Sequence, residues 1–357
     1  MRGTTRPSHH RPRAALVALA LSLLALLLSA CSVGEESAAA GSEDGKDVLR
    51  VGYLHTVAVD SHLWYGQEKG IFEKYDLKIK PTKFDTGIAE SQALAGGSID
   101  VAGLGAVLSN FPAQGGGKVI GVNDIEYDTA QLWVNPKSGI KSVRDLEGKQ
   151  VLTTIGTTAH VFLHTALVKN GVDPKSVTVT NTEMPAVAAA FASGKADAAV
   201  VWVPFDETVK KELPQAKMID SAKNYYPESA ILGGWAANNG YYADKQNKDV
   251  LKRFLQAWLE INDALVKDQK SVLASVHEAA YADSQDAADT QRQFSFAKVQ
   301  SNEDWAEQFK DGTVEKWIGQ TEKVFVDVGG IDEYVEPSEF VDTSLFLEAY
   351  DEWKKSQ

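Results

Sequence analysis

Thr157-Thr158, followed by His160 and His164, is the most chemically suggestive short stretch of this 357-residue chain. Hydroxyls at a helix start can donate to a bound oxyanion, or simply cap the free N–H groups of the first turn. The two histidines, four apart, share a helix face at a spacing that can hold a metal. Two ligands do not define a metal site, however, and no Glu or Cys joins them in the motif. No metal or other cofactor is expected, and His164 reads as a helix-surface residue. Covalent and hydrolytic chemistry find no foothold. There is no Gly-x-Ser-x-Gly elbow and no His-Glu-x-x-His string. Gly115-Gly116-Gly117-Lys118 lacks the spacing and the following Ser/Thr of a phosphate loop, and reads as a turn before a strand over 118–122. Acidic residues abound but name no acid–base couple without geometry. The expectation is a protein that is not an enzyme.

Cys31 is the only cysteine, so it cannot form an internal disulfide. It follows an uncharged, largely apolar run from Ala14 to Ala30, which itself follows Arg2, Arg6, Arg11 and Arg13. A basic start, an apolar middle and small residues before a break describe a secretory signal. Leu28-Ser29-Ala30-Cys31 resembles a bacterial lipobox, which implies cleavage before Cys31 and a lipid on its sulfur. The run is shorter than the ~20 residues of a spanning helix. Residues 1–30 are thus expected to be a lipoprotein signal peptide, and the mature chain to work tethered at the outer face of the cell membrane. Losing them removes four arginines and no other charge, moving the formal charge from −13 to −17. That balance argues against nucleic acid as a partner. Residues 31–47 are small, polar and acidic without an aromatic residue, and read as a flexible tether.

The remainder alternates strands with helices of 10 to 15 residues, which implies parallel α/β layers. Val48–Leu54 is expected as a strand, Asp60-Ser61 as the cap of a helix over 62–74, and Leu77–Lys83 as a strand. A helix over 88–94 and a buried strand from Ile99 complete the first half. From Gln131 the order recurs: strands near 132–134, 149–154, 177–179 and 198–203, with helices to 169 and over 185–193. Gly-Gly-Ser-Ile-Asp-Val-Ala at 96–102 and Ser-Gly-Lys-Ala-Asp-Ala-Ala at 193–199 share one rhythm. From Lys248 onward the chain is mostly amphipathic helix, with Phe254, Trp258 and Ile261 on one face. Two α/β lobes are expected, 48–132 with 236–357 and 133–235, joined by two crossing strands, with the helical C-terminal part packed on the first lobe.

Several strings then carry a resemblance. Val51-Gly52-Tyr53, Lys83-Phe84-Asp85-Thr86-Gly87, Gly103-Leu104-Gly105, Asp145-Leu146-Glu147-Gly148-Lys149, Thr157-Thr158-Ala159-His160 and Val201-Trp202-Val203-Pro204 occur in one order across 48–235. In that order they resemble the substrate-binding proteins of taurine, alkanesulfonate and nitrate ABC importers, the taurine branch most closely. The resemblance implies a type II periplasmic-binding-protein fold that closes on a small ligand. It implies an ABC permease and its ATPase as partners, and a monomer. Ligands in such lobes bind where strand ends enter helices, at residues 55–64, 85–88, 103–107 and 154–160. The expected contacts are Asp60, Trp64, Asp85, Gly105, Ala106, Thr157, Thr158, His160 and Trp202. His160 matches a histidine of the taurine branch, and Trp202 sits in the matching Val-Trp-x-Pro string.

Val203 is the important departure, since the taurine branch places there an aspartate suited to a ligand ammonium. Asp60, Asp85 or Asp124 could supply a substitute. Ala106 and Val107 replace small hydroxyl residues of the family. The expected ligand is a small organosulfonate-like anion, taurine or an alkanesulfonate. A neutral or aromatic heterocycle, such as a thiamine-type pyrimidine, is the runner-up. A ligand-sensing subunit or a secreted enzyme are the readings from other classes.

Overall fold

The computed structural model describes Gly3 and residues 41–357. Cys31, the rest of the expected signal peptide apart from Gly3, and the expected tether up to residue 40 lie outside the described residues. The tether ends sooner than its composition implies. β1 (Ser42–Glu43) turns back onto β2 (Lys46–Tyr53) through Asp44-Gly45, both left-handed at φ 53° and 78°. Asp-Gly suits the two central positions of a tight hairpin turn, and Glu43 is paired with Lys78 at 2.8 Å.

The chain then runs α1 (Val57–Glu68), α2 (Ile71–Lys74), β3 (Leu77–Lys83), α3 (Gly87–Ala95), β4 (Val101–Leu104), α4 (Val107–Ala113) and β5 (Gly117–Ile125). Next come β6 (Ala130–Val134), β7 (Gln150–Thr153), α5 (Thr158–Lys169), β8 (Thr178–Asn181), α6 (Met184–Ala192), β9 (Ala198–Trp202), α7 (Phe205–Glu212), β10 (Lys217–Ser221) and β11 (Leu232–Asn238). The last third is helical: α8 (Asn239–Ala243), α9 (Lys245–Lys267), α10 (Gln269–Val276), α11 (Ala287–Phe294), α12 (Asn302–Lys310), α13 (Thr313–Asp327) and α14 (Thr343–Ser356).

Two sheets result. The first has the order β1-β2-β4-β11-β5, with β3 also on β2. In it β2, β3 and β4 are parallel, and β11 runs antiparallel between β4 and β5. The second has the order β10-β6-β9-β7-β8, with β7, β8 and β9 parallel. Parallel neighbours require crossover helices, which the alternation of strands and helices supplies. The shared rhythm at 96–102 and 193–199 has a structural meaning. Asp100 accepts the N–H of Arg50 at 2.9 Å and Asp197 that of Gln150 at 3.0 Å. Each aspartate thus pins its own strand to the first parallel strand of its sheet.

Short connections over 126–129 and 222–231 join the sheets. Phe254, Trp258 and Ile261 of α9 are buried against the first sheet, as their spacing requires. α13 is different: Val314, Trp317 and Ile318 belong to the first core, whereas Phe325 and the following Ile331 belong to the second.

α1 begins at Val57, not after Asp60-Ser61. Thr56 is its N-cap, and Val57, Val59 and Asp60 are buried within its first turns. Burial of the apolar pair draws the chain into helix early. Farther along α1, a Cβ on Gly66 would lie 2.6 Å from Ile261 Cδ1 and closer still to the Phe72 ring. Gly66→Ala should therefore lower stability by about 1–3 kcal/mol through overpacking, measured by urea unfolding.

Candidate functional site

Between the two sheets lies a cavity of about 70 Å³, room for several waters or a small ligand group. Its walls come from three sources. The first sheet contributes Thr56 and Val57 at the start of α1, and Gly105 and Ala106 before α4. Asp124 at the end of β5 adds to the first wall, the crossing contributes Glu126 and Thr129, and the second sheet's side contributes Thr157, Thr158, Trp202 and Val203. Neither Thr56 nor Thr157 caps its helix through its side chain, so the starts of α1 and α5 keep N–H groups for a ligand. Asn123 holds α1 in place, donating to Ala58 O at 2.9 Å while accepting from Trp258 Nε1 at 2.9 Å.

One chain of hydrogen bonds crosses the cleft. The Ala106 N–H donates to Thr158 Oγ1 at 3.1 Å, and that hydroxyl donates to Glu126 Oε1 at 3.0 Å. Thr129 Oγ1 donates to Glu126 Oε2 at 3.2 Å. Gly105 leaves room for this bridge: a Cβ there would come within 2.9 Å of Thr158 Oγ1 and closer still to Glu126 Oε1, so the bridging side chains would have to move. Nearer the α11 side, Arg292 reaches across to Asp206 and Glu207 of α7, both at 3.1 Å.

The expected contacts divide. Gly105, Ala106, Thr157, Thr158 and Trp202 line the cavity together, Trp202 half-buried with its ring edge-on to Phe205. Asp60, Trp64, Asp85 and His160 are not among the lining residues. Asp60 is consumed within the first sheet's side, where Trp64 Nε1 donates to it at 2.8 Å and the Tyr281 hydroxyl at 2.6 Å. His55 Nδ1 completes its set at 2.9 Å. Asp85 is exposed on the loop before α3, and the cap of that helix falls to Thr86 instead. His160 Nδ1 accepts the Gly156 N–H at 3.2 Å, so its ring serves its own loop. His164 is buried rather than on the surface, with Nε2 3.9 Å from Asp327 at the end of α13.

Glu126, Thr129, Thr56 and Gln293 are lining residues that sequence reasoning passed over. A signal for Glu126 existed. Acids at 124 and 126, two apart at the end of an apolar strand, share one face of it. Burial pushes both up: Asp124 well above the usual carboxylate range, with Glu126 adding to the shift, and Glu126 to about 7. Among the described residues, no Lys or Arg lines the cavity.

Two α/β sheets with a doubled strand–helix order, two short crossings and a cavity at the helix starts define a periplasmic-binding-protein fold. Residues 61–271 match the family described as NMT1/THI5 like, and the chain belongs to it. It is a non-enzymatic solute-binding protein of the kind that serves ABC importers. A Brucella abortus (strain 2308) protein known only as a binding protein is 27% identical over 292 residues, covering 82% of this chain and 89% of its own. The taurine-binding periplasmic protein of Escherichia coli (strain K12) is 30% identical over 131 residues, 36% of this chain and 41% of that one. The alkanesulfonate-binding protein SsuA from Xanthomonas axonopodis pv. citri, solved bound to MOPS, has a TM-score of 0.66 at 21% identity, covering 85% of this chain and 99% of its own.

An acid whose folded pKa is raised favours the fold while protonated. The contribution of Glu126 is therefore full below its ordinary value near 4.5 and is lost as pH rises through about 7. The change amounts to up to about 3 kcal/mol. His62 and His160, pushed down to about 4 by burial, act in the opposite sense below pH ~6.5. A difference measurement isolates the carboxyl. Between pH 5 and pH 8 the melting temperature of Glu126→Gln, minus that of the parent, should rise by several degrees in ligand-free protein.

Proposed function

We propose that this chain is the extracytoplasmic, lipid-anchored solute-binding component of an ABC importer. It captures a small organosulfonate-like anion, taurine or an alkanesulfonate, by lobe closure and delivers it to a permease with its ATPase. The observation that carries this reading is the convergence of the α1 and α5 starts, one from each sheet, on a single small cavity. Uncapped N–H groups and the positive ends of two helix dipoles suit an oxyanion. A ligand touching both sheets at once favours the closed arrangement by its differential affinity. The names of the sulfonate- and taurine-binding relatives support the same ligand class.

In this reading Gly105, Ala106, Thr157, Thr158 and Trp202 contact the ligand, and Asp60 and Trp64 hold the loop that carries Thr56. The lobes follow the two sheets, so the expected boundaries at 132/133 and 235/236 shift to the connections over 126–129 and 222–231, and the protein acts as a monomer. Cys31 carries the lipid, supported by its place after the apolar run. A second reading, a thiamine-type pyrimidine or similar heterocycle, is favoured by the indole of Trp202 beside two carboxyls in the cavity wall.

Titration calorimetry with taurine, isethionate, ethanesulfonate and an aminopyrimidine separates the two ligand readings. One-to-one binding of a sulfonate without turnover is the expected result; binding of the pyrimidine alone moves the ligand to the second reading, and product formation ends both. Trp202→Ala should weaken binding about 10- to 100-fold. Cys31→Ser should release the protein from the membrane fraction, visible by fractionation and blotting.

A further inference from the structure

We infer that Arg292 of α11 is a positioning residue for lobe closure. Its pairing with Asp206 and Glu207 of α7 holds the two cavity walls together and sets how far the ligand-free protein closes. The inference rests on lobe closure in the solute-binding reading, and on no particular ligand. The pair spans the two sides of the gap. α11 belongs with the first sheet's side, where Phe294 is buried with Val57 of α1 and Val276 of α10. α7 belongs with the second, where Val209 is buried in one core with Val201 of β9. Both ends of the pair adjoin the cavity. Gln293, the residue after Arg292, lines it, and so do Trp202 and Val203, just before Asp206. Gln285 Oε1 accepts from Gln293 Nε2 at 2.8 Å, which ties that side chain to its own segment.

The chemistry of the pair suits a contact that is made and broken. Asp206 is fully buried, whereas the Arg292 side chain is 27% exposed and that of Glu207 48%. One nitrogen, Nη1, serves both acids at 3.1 Å. Among the described residues, Arg292 Nε and Nη2 and Asp206 Oδ1 are buried without a hydrogen-bond partner. A charge pair that gives up water and satisfies only some of its donors gains little net free energy. The tie therefore biases closure without locking it. Lys210, one turn on, also pairs with Asp206 at 3.0 Å and stays with the second sheet. Separating the walls thus leaves Asp206 a partner on its own helix, while Arg292 returns to water. The Thr158 bridge has no cationic member, so salt discriminates between it and the Arg292 pair.

The test places spin labels at Lys83→Cys and Glu183→Cys, exposed residues at or just past the carboxyl ends of β3 and β8, in the full chain carrying Cys31→Ser. Pulsed dipolar spectroscopy then reads the inter-lobe distance without ligand and with taurine or ethanesulfonate. Arg292→Gln should lengthen the ligand-free distance and weaken sulfonate binding about 3- to 10-fold, mainly through faster release. Raising NaCl from about 0.05 to 0.5 M should lengthen the distance in the parent and leave Arg292→Gln unmoved. Arg292→Lys, which can meet both acids through one nitrogen, should restore the parent distance; failure to restore it overturns the latch. Glu207→Gln, at a half-exposed site, provides a second variant should Arg292→Gln melt early, and should shift the distance the same way. An Arg292→Gln distance equal to the parent's, with taurine still shortening both, overturns the latch and leaves the sulfonate carrier standing. A distance that responds to Arg292→Gln and to salt, while neither sulfonate binds, keeps the latch and overturns the sulfonate reading. One distance throughout overturns both.

Discussion

A single threonine hydroxyl joins three separate segments of this protein at the cavity. Thr158 takes its proton acceptor from the crossing, Glu126, and its donor from the first sheet, the Ala106 N–H, while its own backbone opens α5 in the second sheet. The three partners come from three separate segments, and their meeting defines where the cavity is. Gly105 permits it, because any side chain there would occupy the space of the bridge itself. In a low-dielectric setting such a chain of bonds is strengthened, and leaving any member unpaired is costly.

The rest of the architecture delivers those segments. Each half builds three parallel strands from the same device, an aspartate that accepts the backbone N–H at the opposite strand. Parallel strands place all their carboxyl ends, and hence all helix starts, on one side. Two such units set facing each other, joined through β5 and β11, necessarily present helix N-termini across a common gap. The Arg292 contacts to Asp206 and Glu207 add a charged tie on a second path.

Strand and helix order was legible because apolar alternation and turn residues act locally. The repeat of Asp100 and Asp197 was visible as a rhythm whose meaning only pairing reveals. Local rules failed where distant residues decide. Asp60 has the type of a helix cap, yet Tyr281, more than two hundred residues away, and Trp64 claim its oxygens. His164 has the spacing of a surface residue, but α13 folds back over it. Of the candidate site, the residues at glycine and threonine corners were readable from strand ends. Glu126 was readable only as an acid on the same strand face as Asp124, because nothing within a few residues of it announces that α5 will bring Thr158 to its carboxyl.

α13 lies outside the two crossings, and yet it too is shared between the cores, with Trp317 buried in one and Phe325 in the other. A stiff rod seated at both ends acts as a door chain. Any separation of the two sheets that left α13 straight would have to draw either Trp317 or Phe325 out of its socket, at the cost of a buried aromatic ring.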